Sequence, residues 1–179
     1  GMLDMVLDVG KIAGRKVSGG AAGPAIIGSG IVASIMGQAV SNVVLTGRLT
    51  VPMMRKYGYK GSMAGAIEAT ASTAGQIMPP IMGLAAFIIA SFLNKAYIDV
   101  ALSALIPGLL YLVGVCIAVA VYARRYELPK LVEKVDTQRI KRLLPTFIIS
   151  FGVVLWLLLG YRSPAIAGLW GIGLALLFA

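Results

Sequence analysis

The chain of 179 residues has no histidine, a single cysteine, and only 7 acidic residues against 16 basic ones. Without histidine it lacks the commonest general base and the commonest metal ligand. Lone Cys116 leaves no disulfide framework and no metal-ligand spacing. The usual nucleophile–base pairs are therefore missing, which disfavours an intramembrane enzyme. Charge of either sign is scarce too. Charged residues make up 13% of the chain, where a soluble domain needs about 25% to cover its surface. Most of this surface does not face water.

What is present is apolar: hydrophobic residues reach 59% and the mean hydropathy is +0.90. No Asp, Glu, Lys or Arg falls within 17–47, 69–94, 100–123, 143–161, or from 163 onward. Each interval approaches or exceeds the roughly 20 residues a helix needs to cross a bilayer. These runs predict an all-α membrane protein. The net charge of +9 does not point to nucleic acid, because no aromatics interleave with a basic face. Basic residues flanking apolar spans are what cytoplasmic loops retain. No signal peptide is recognisable, and the chain starts in an amphipathic stretch and stops in an apolar run, so a fragment is expected.

Residues 1–18 carry Met2, Leu3, Val6, Leu7, Val9 and Ile12 with Asp4, Asp8 and Lys11 between them, and predict an interfacial amphipathic helix. Residues 19–97 then read as part of a transport domain. The stretch 19–55 is long, uncharged up to Arg48, and has polar Gln38, Ser41 and Asn42 near its middle. Two full spans would leave a short second one containing Arg48. A re-entrant helical hairpin fits length and polarity better. Basic clusters on both flanks (Lys11, Arg15, Lys16; Arg55, Lys56, Lys60) are then cytoplasmic. Residues 62–93 predict a transmembrane helix interrupted at Gly75, Gln76, Pro79 and Pro80, since each proline removes a backbone donor and clashes with the preceding turn. Residues 98–179 supply further transmembrane helices, over 100–123, 144–160 and 164–178, with a basic cytoplasmic loop at 124–142.

Two polar groups stand out in this setting. Gln38, Ser41, Asn42 and Thr46 lie at and beyond the hairpin tip; Thr70, Ser72, Thr73, Gly75 and Gln76 lie at the helix break. Hydroxyls, amides and freed carbonyls are oxygen donors suited to Na⁺, and helix ends at a break favour ions. Any one of them alone reads as a packing residue. Glu68 is the lone acid inside a membrane segment. It is either a proton carrier or a residue near the headgroups, about two turns from Lys60. The second reading is the expectation carried forward.

The run "GQAVSNVVLTGRLTVPMMRKYGYKGSMAGAIEATASTAGQIMPPIMGLAAF" (37–87) resembles the large membrane subunit of the tripartite ATP-independent periplasmic (TRAP) transporters. With the tail "RLLPTFIISFGVVLWLLLGYRSPAIAGLWG" (142–171) it is most similar to permeases in which small and large membrane subunits are fused. That resemblance implies a membrane permease in the bacterial inner membrane, spanning it several times. It implies sodium-coupled import of organic anions (carboxylates) by an elevator-type movement. The implied partners are a periplasmic substrate-binding protein, the small membrane subunit or its fused equivalent, and membrane lipid. Na⁺ is the coupling ion, with no cofactor. Carried onto this chain, the sodium ligands are Gln38, Ser41, Asn42 and Gly75. The substrate contacts are Asn42, Thr46, Ser72, Thr73 and Gln76, with Pro79 and Pro80 making the break. Many relatives read Ser-Gly-Ser-Ala where this chain has Met36, Gly37, Gln38 and Ala39, which removes two hydroxyls and adds an amide. The rival to coupled transport is a channel-like or structural membrane subunit.

Overall fold

A computed structural model describes residues 2–15, 19–79, 81–133, 135–159, 169, 170 and 173. Among these every regular element is helical. α1 spans Met2–Gly14, and a 3₁₀ turn (Gly20–Ala22) and a π-helical turn (Pro24–Gly28) lead into α2, Ser29–Met36. α3 (Ala39–Lys56) and α4 (Gly61–Thr73) follow, then a 3₁₀ turn at Ala74–Gln76 and α5, Leu84–Phe92. α6 (Tyr97–Arg125) and α7 (Thr137–Leu159) complete the order. The expected all-α class is observed. The expected helix over 164–178 lies almost wholly outside the described residues.

Small residues decide how closely these helices meet. Gly10 and Gly14, four apart on one face of α1, press against the turns that follow; a Cβ on Gly10 would sit 2.6 Å from the Pro24 Cα. α1 thereby buries Met5, Val6 and Leu7 and leaves Met2 and Ile12 exposed. Ala21, Ala22, Ala25 and Ile26 join Met54, Ile67, Val115, Val119 and Ala123 in the main core, tying the turns to α3, α4 and α6. Tyr59, between α3 and α4, closes this core from one end by donating its hydroxyl to the Gly19 carbonyl at 2.6 Å. Burial, with Tyr122 beside it, pushes that phenol up to about 12, so it remains a donor.

α6 is the one helix among the described residues that is long and apolar enough to cross a membrane. Its 29 residues reach roughly 43 Å at about 1.5 Å each. Only 17% of its most apolar window is buried, and Leu102, Ile106, Leu110, Ile117 and Val121 are exposed along it. α7 starts at Thr137, ahead of the expected 144, because the Asp136 carboxylate accepts the Arg139 amide at 3.0 Å and caps it. Arg139, Lys141 and Arg142 thus belong to its first turns rather than to a loop.

α2 and α3 run antiparallel through a two-residue reversal. Gly37 adopts the left-handed conformation (φ 63°) and Gln38 is extended. Glycine is required at position 37 twice over, because a Cβ would also lie 1.9 Å from the Met82 carbonyl oxygen. The second helix is broken as its Gly-Gln-Pro sequence predicts: α4 ends at Thr73 and α5 begins at Leu84. Pro79 lies within the break, and Pro80 falls outside the described residues.

Candidate functional site

A break in a helix frees backbone groups that must find partners. Here Gly83 N–H returns to the Gln76 carbonyl at 3.0 Å, and Ile81 N–H reaches across to Ser34 of α2 at 3.3 Å. The Ile81 carbonyl accepts the Tyr97 hydroxyl at 2.5 Å. The hairpin is therefore stitched into the break by its backbone, and Met82 is held at φ 56°, a conformation a branched or long side chain rarely adopts. Gly75 seals the contact from the other side: a Cβ there would meet the Ala33 backbone at 2.3 Å. Alanine at both Pro79 and Pro80 would favour a continuous helix by about 3 kcal/mol per proline. We expect uptake by that double variant to fall to background while membrane insertion stays normal. Unchanged uptake would show that the prolines serve packing alone.

Behind the break lies a fully buried polar cluster: Ser29, Asn42, Thr46, Thr50, Glu68 and Ser72 all have 0% exposure. Helical spacing assembles it. Asn42, Thr46 and Thr50 recur every four residues and form one stripe on α3; Glu68 and Ser72 do the same on α4. Gly47, next to that stripe, lets α4 approach: a Cβ would come 3.2 Å from the Glu68 Cγ. The π turn delivers Ser29 from the opposite arm. Its hydroxyl lies 3.0 Å from Glu68 Oε1 and 3.1 Å from the hydroxyls of Thr46 and Ser72. Thr50 donates to Glu68 Oε2 at 2.5 Å, Thr46 donates to Oε1, and Ser72 lies 3.2 Å from Oε1.

The Ser29 carbonyl orients Asn42. Its nitrogen lies 3.2 Å from the Ser29 carbonyl, which can only accept, so that atom is the Nδ2. The same nitrogen lies 2.7 Å from the Ser29 hydroxyl and 2.9 Å from that of Ser72, so its two hydrogens are shared among three acceptors. The amide oxygen, Oδ1, is buried and has no hydrogen-bond partner among the described residues. Native interiors seldom leave such an atom unused.

The structure thus brings together three of the residues expected from sequence: Asn42, Thr46 and Ser72. Gly75 is buried a turn away from Ser72, against α2. Gln38 and Ser41 bond to each other at the tip (2.7 Å) and stay outside the cluster. Thr73 and Gln76 are exposed beside the break, with the Thr73 hydroxyl donating to the Ala69 carbonyl at 2.8 Å. Glu68 corrects the expectation of a headgroup position: the helix turns it into the protein, where it is closed off on all sides. Sequence reasoning missed Ser29 and Thr50. The four-residue step from Asn42 through Thr46 would have found Thr50; nothing local marks Ser29.

A helical hairpin seated in the break of a second helix, with a long apolar helix on the outside, defines an all-α membrane protein. The family model described as "Tripartite ATP-independent periplasmic transporter, DctM component" matches residues 1–179, and the chain belongs to that family. It is accordingly a membrane permease component of a TRAP transporter. Transporters of this family work with a periplasmic binding protein and a small membrane subunit. Searches of curated proteins and of solved structures return no significant match.

Proposed function

We propose that this chain carries the ion- and substrate-binding core of a sodium-coupled permease, which imports carboxylates handed over by a periplasmic binding protein. The observation that carries the reading is the Asn42 amide oxygen, buried and unpartnered where hairpin and broken helix meet. Sodium is a hard cation, and a neutral amide oxygen binds it without burying a permanent charge, which membrane interiors penalise. Ser41, Gln38 and the backbone at Gly75 are the remaining proposed ligands, around the same junction. For substrate, the five expected residues divide by accessibility. Thr73 and Gln76 are exposed beside the break and meet the carboxylate. Thr46 and Ser72 stand behind them with their hydroxyls engaged within the protein, and Asn42 with its amide nitrogen engaged and its oxygen free for an ion.

In this reading α2 and α3 enter and leave the bacterial inner membrane from the cytoplasmic side, and the hairpin moves with α4 and α5 as an elevator. The small membrane subunit is fused to the large one. Single cysteines next to Lys16 and at Lys56 should label only from the cytoplasm, and one at Gln38 should resist lipid-phase reagents. Labelling of the two flanks from opposite faces would refute the hairpin. Concentrative uptake in proteoliposomes tests coupling itself. A sodium gradient should drive labelled carboxylate above its outside concentration, whereas a channel-like subunit would only equilibrate it.

A further inference from the structure

Glu68 has a place in the cluster that sodium binding does not explain. The chain contains two acids whose side chains are buried this deeply in the helical body, and it treats them differently. Asp8, 2% exposed, is matched by Lys11 at 2.9 Å and Arg139 at 3.5 Å. Glu68, 0% exposed, is matched among the described residues by hydroxyls alone. An ionised carboxylate without a cation is among the most costly groups to bury. Something positive must accompany it for at least part of its working cycle.

Among the described residues no basic group fills that role. The charges of α3, which are Arg48, Arg55 and Lys56, are exposed, and no ion pair joins any of them to Glu68. α2 and the π turn hold no titratable residue, and α4 has none besides Glu68. On α6, Tyr111 donates to the Thr70 carbonyl at 3.0 Å, and Asp99, Cys116, Arg124 and Arg125 make no hydrogen bond or ion pair with Glu68. No hydrogen bond joins Asn42 to Glu68 directly: Ser29 and Ser72 connect its side chain to the carboxyl, and Thr46 connects its backbone carbonyl.

We propose that Glu68 is a proton-binding site of the permease, loaded and emptied through Thr50. The surrounding hydroxyls suit both states of the carboxyl without moving a heavy atom. Thr46 and Thr50 each have a second acceptor, the carbonyls of Asn42 at 2.8 Å and Thr46 at 3.2 Å. With the carboxyl protonated at Oε2, its O–H donates to Thr50 Oγ1 and Thr50 donates to the Thr46 carbonyl, while Thr46 keeps donating to Oε1. With the proton gone, the Thr50 hydroxyl rotates and donates to the carboxylate, so that both threonines then serve it. A metal ion is served less well, because the oxygens already touch one another at hydrogen-bond distance and leave no central space.

An open cleft lies on the Thr50 side. Thr50, closed to solvent itself, is part of the floor of this cleft of about 370 Å³, whose walls include Asp8, Lys11, Lys56, Glu133 and Arg139. The Glu68 O–H bond breaks as its proton passes to Thr50 Oγ1. For release the Thr50 hydroxyl turns from the Thr46 carbonyl toward the cleft and water enters to meet it; the Thr50 proton passes to that water, forming hydronium, and Thr50 ends unchanged. Movement of that proton during transport rests on the ion-coupled reading above; its binding does not.

Infrared difference spectra of the complete permease, taken between acid and alkaline buffer in choline chloride, test the site without a substrate. Wild-type protein should show the C=O band of a protonated carboxyl that Glu68→Gln lacks. Thr50→Val should slow deuterium exchange of that band at least about tenfold. A band that persists in Glu68→Gln overturns the proposal, as does its absence from wild-type protein. If sodium in place of choline abolishes the band, the carboxylate is a metal-ion ligand and the proton reading fails. Should Glu68→Gln not fold, the sodium–choline comparison and the Thr50→Val rate still decide; an unchanged rate rejects the route. Loss of the sodium reading alone would appear as normal sodium binding in Asn42→Leu with the Glu68 band intact.

Discussion

Replacing Asn42 with Leu should raise the sodium concentration for half-maximal binding by about tenfold to hundredfold. Leucine keeps the branched outline of asparagine, with bulkier methyl groups, but removes Oδ1, the buried oxygen with no partner inside the described protein. One lost ligand, or one buried polar group left unpaired, is worth about 1–3 kcal/mol, which corresponds to that range. The substitution also strips the donor from the Ser29 carbonyl and from the hydroxyls of Ser29 and Ser72. The two hydroxyls can turn to each other, 3.1 Å apart, so the hairpin should survive with modest loss of stability. Binding of radioactive sodium to the purified permease measures the effect directly. Ser34→Ala is the control, since the Ser34 hydroxyl donates only to the Ile31 carbonyl of its own helix. Wild-type sodium affinity in Asn42→Leu would remove the junction from consideration as the ion site, and Ser41, Gln38 and Gly75 with it.

Gly75→Ala should be still more damaging, and for a purely steric reason. The residue sits in a right-handed turn, so its backbone tolerates any side chain; the space in front of it does not. The added carbon would meet the carbonyl carbon and oxygen of Ala33 at 2.3 Å and the Ala33 Cβ at 2.4 Å. Backbone on both sides cannot rotate away as a long side chain would. Overpacking of this kind costs about 1–3 kcal/mol when neighbours can yield, and this contact lies at or above the upper end. We expect a lower midpoint of thermal unfolding in detergent together with loss of sodium binding, because the same wedge drives α2 from the break. Gly65→Ala, with open space in front of its Cβ, should do neither. Normal stability and normal sodium binding in Gly75→Ala would mean that hairpin and break are not packed as described.

Much of this arrangement is legible in the sequence because membrane chains are written in strong contrasts. Uncharged runs bounded by Arg124 and Arg125 delimit α6, and a Gly-Gln followed by two prolines announces a break between α4 and α5. Glycine at 37 next to Gln38 marks the reversal of the hairpin. The site itself is only half legible. Asn42, Thr46 and Ser72 are polar residues in apolar runs, and that exception is visible. Their facing one another depends on which side of α3 meets α4, and Gly47 decides that by permitting Glu68 to come close. Glu68 was misread for a related reason. Distance along the helix from Lys60 says how deep a residue lies, but not whether it turns inward. Ser29 was invisible because its role depends on a turn that is not α-helical.

That turn has a consequence of its own. From Pro24 to Gly28 the chain winds with five-residue hydrogen bonding, the Ser29 amide returning to the Pro24 carbonyl, before ordinary α-helix resumes at Ser29. An α-helix advances about 100° per residue, so one residue taken up in a wider turn resets the angular phase of everything on either side of it. Upstream, Gly20 and Gly23 face α1; downstream, Ser29 faces Glu68. An uninterrupted α-helix could satisfy one of these orientations and would swing the other away by about a quarter turn. The π turn acts as the phase shifter between the scaffold contact and the polar cluster, and removing one residue from it would point Ser29 away from the carboxyl.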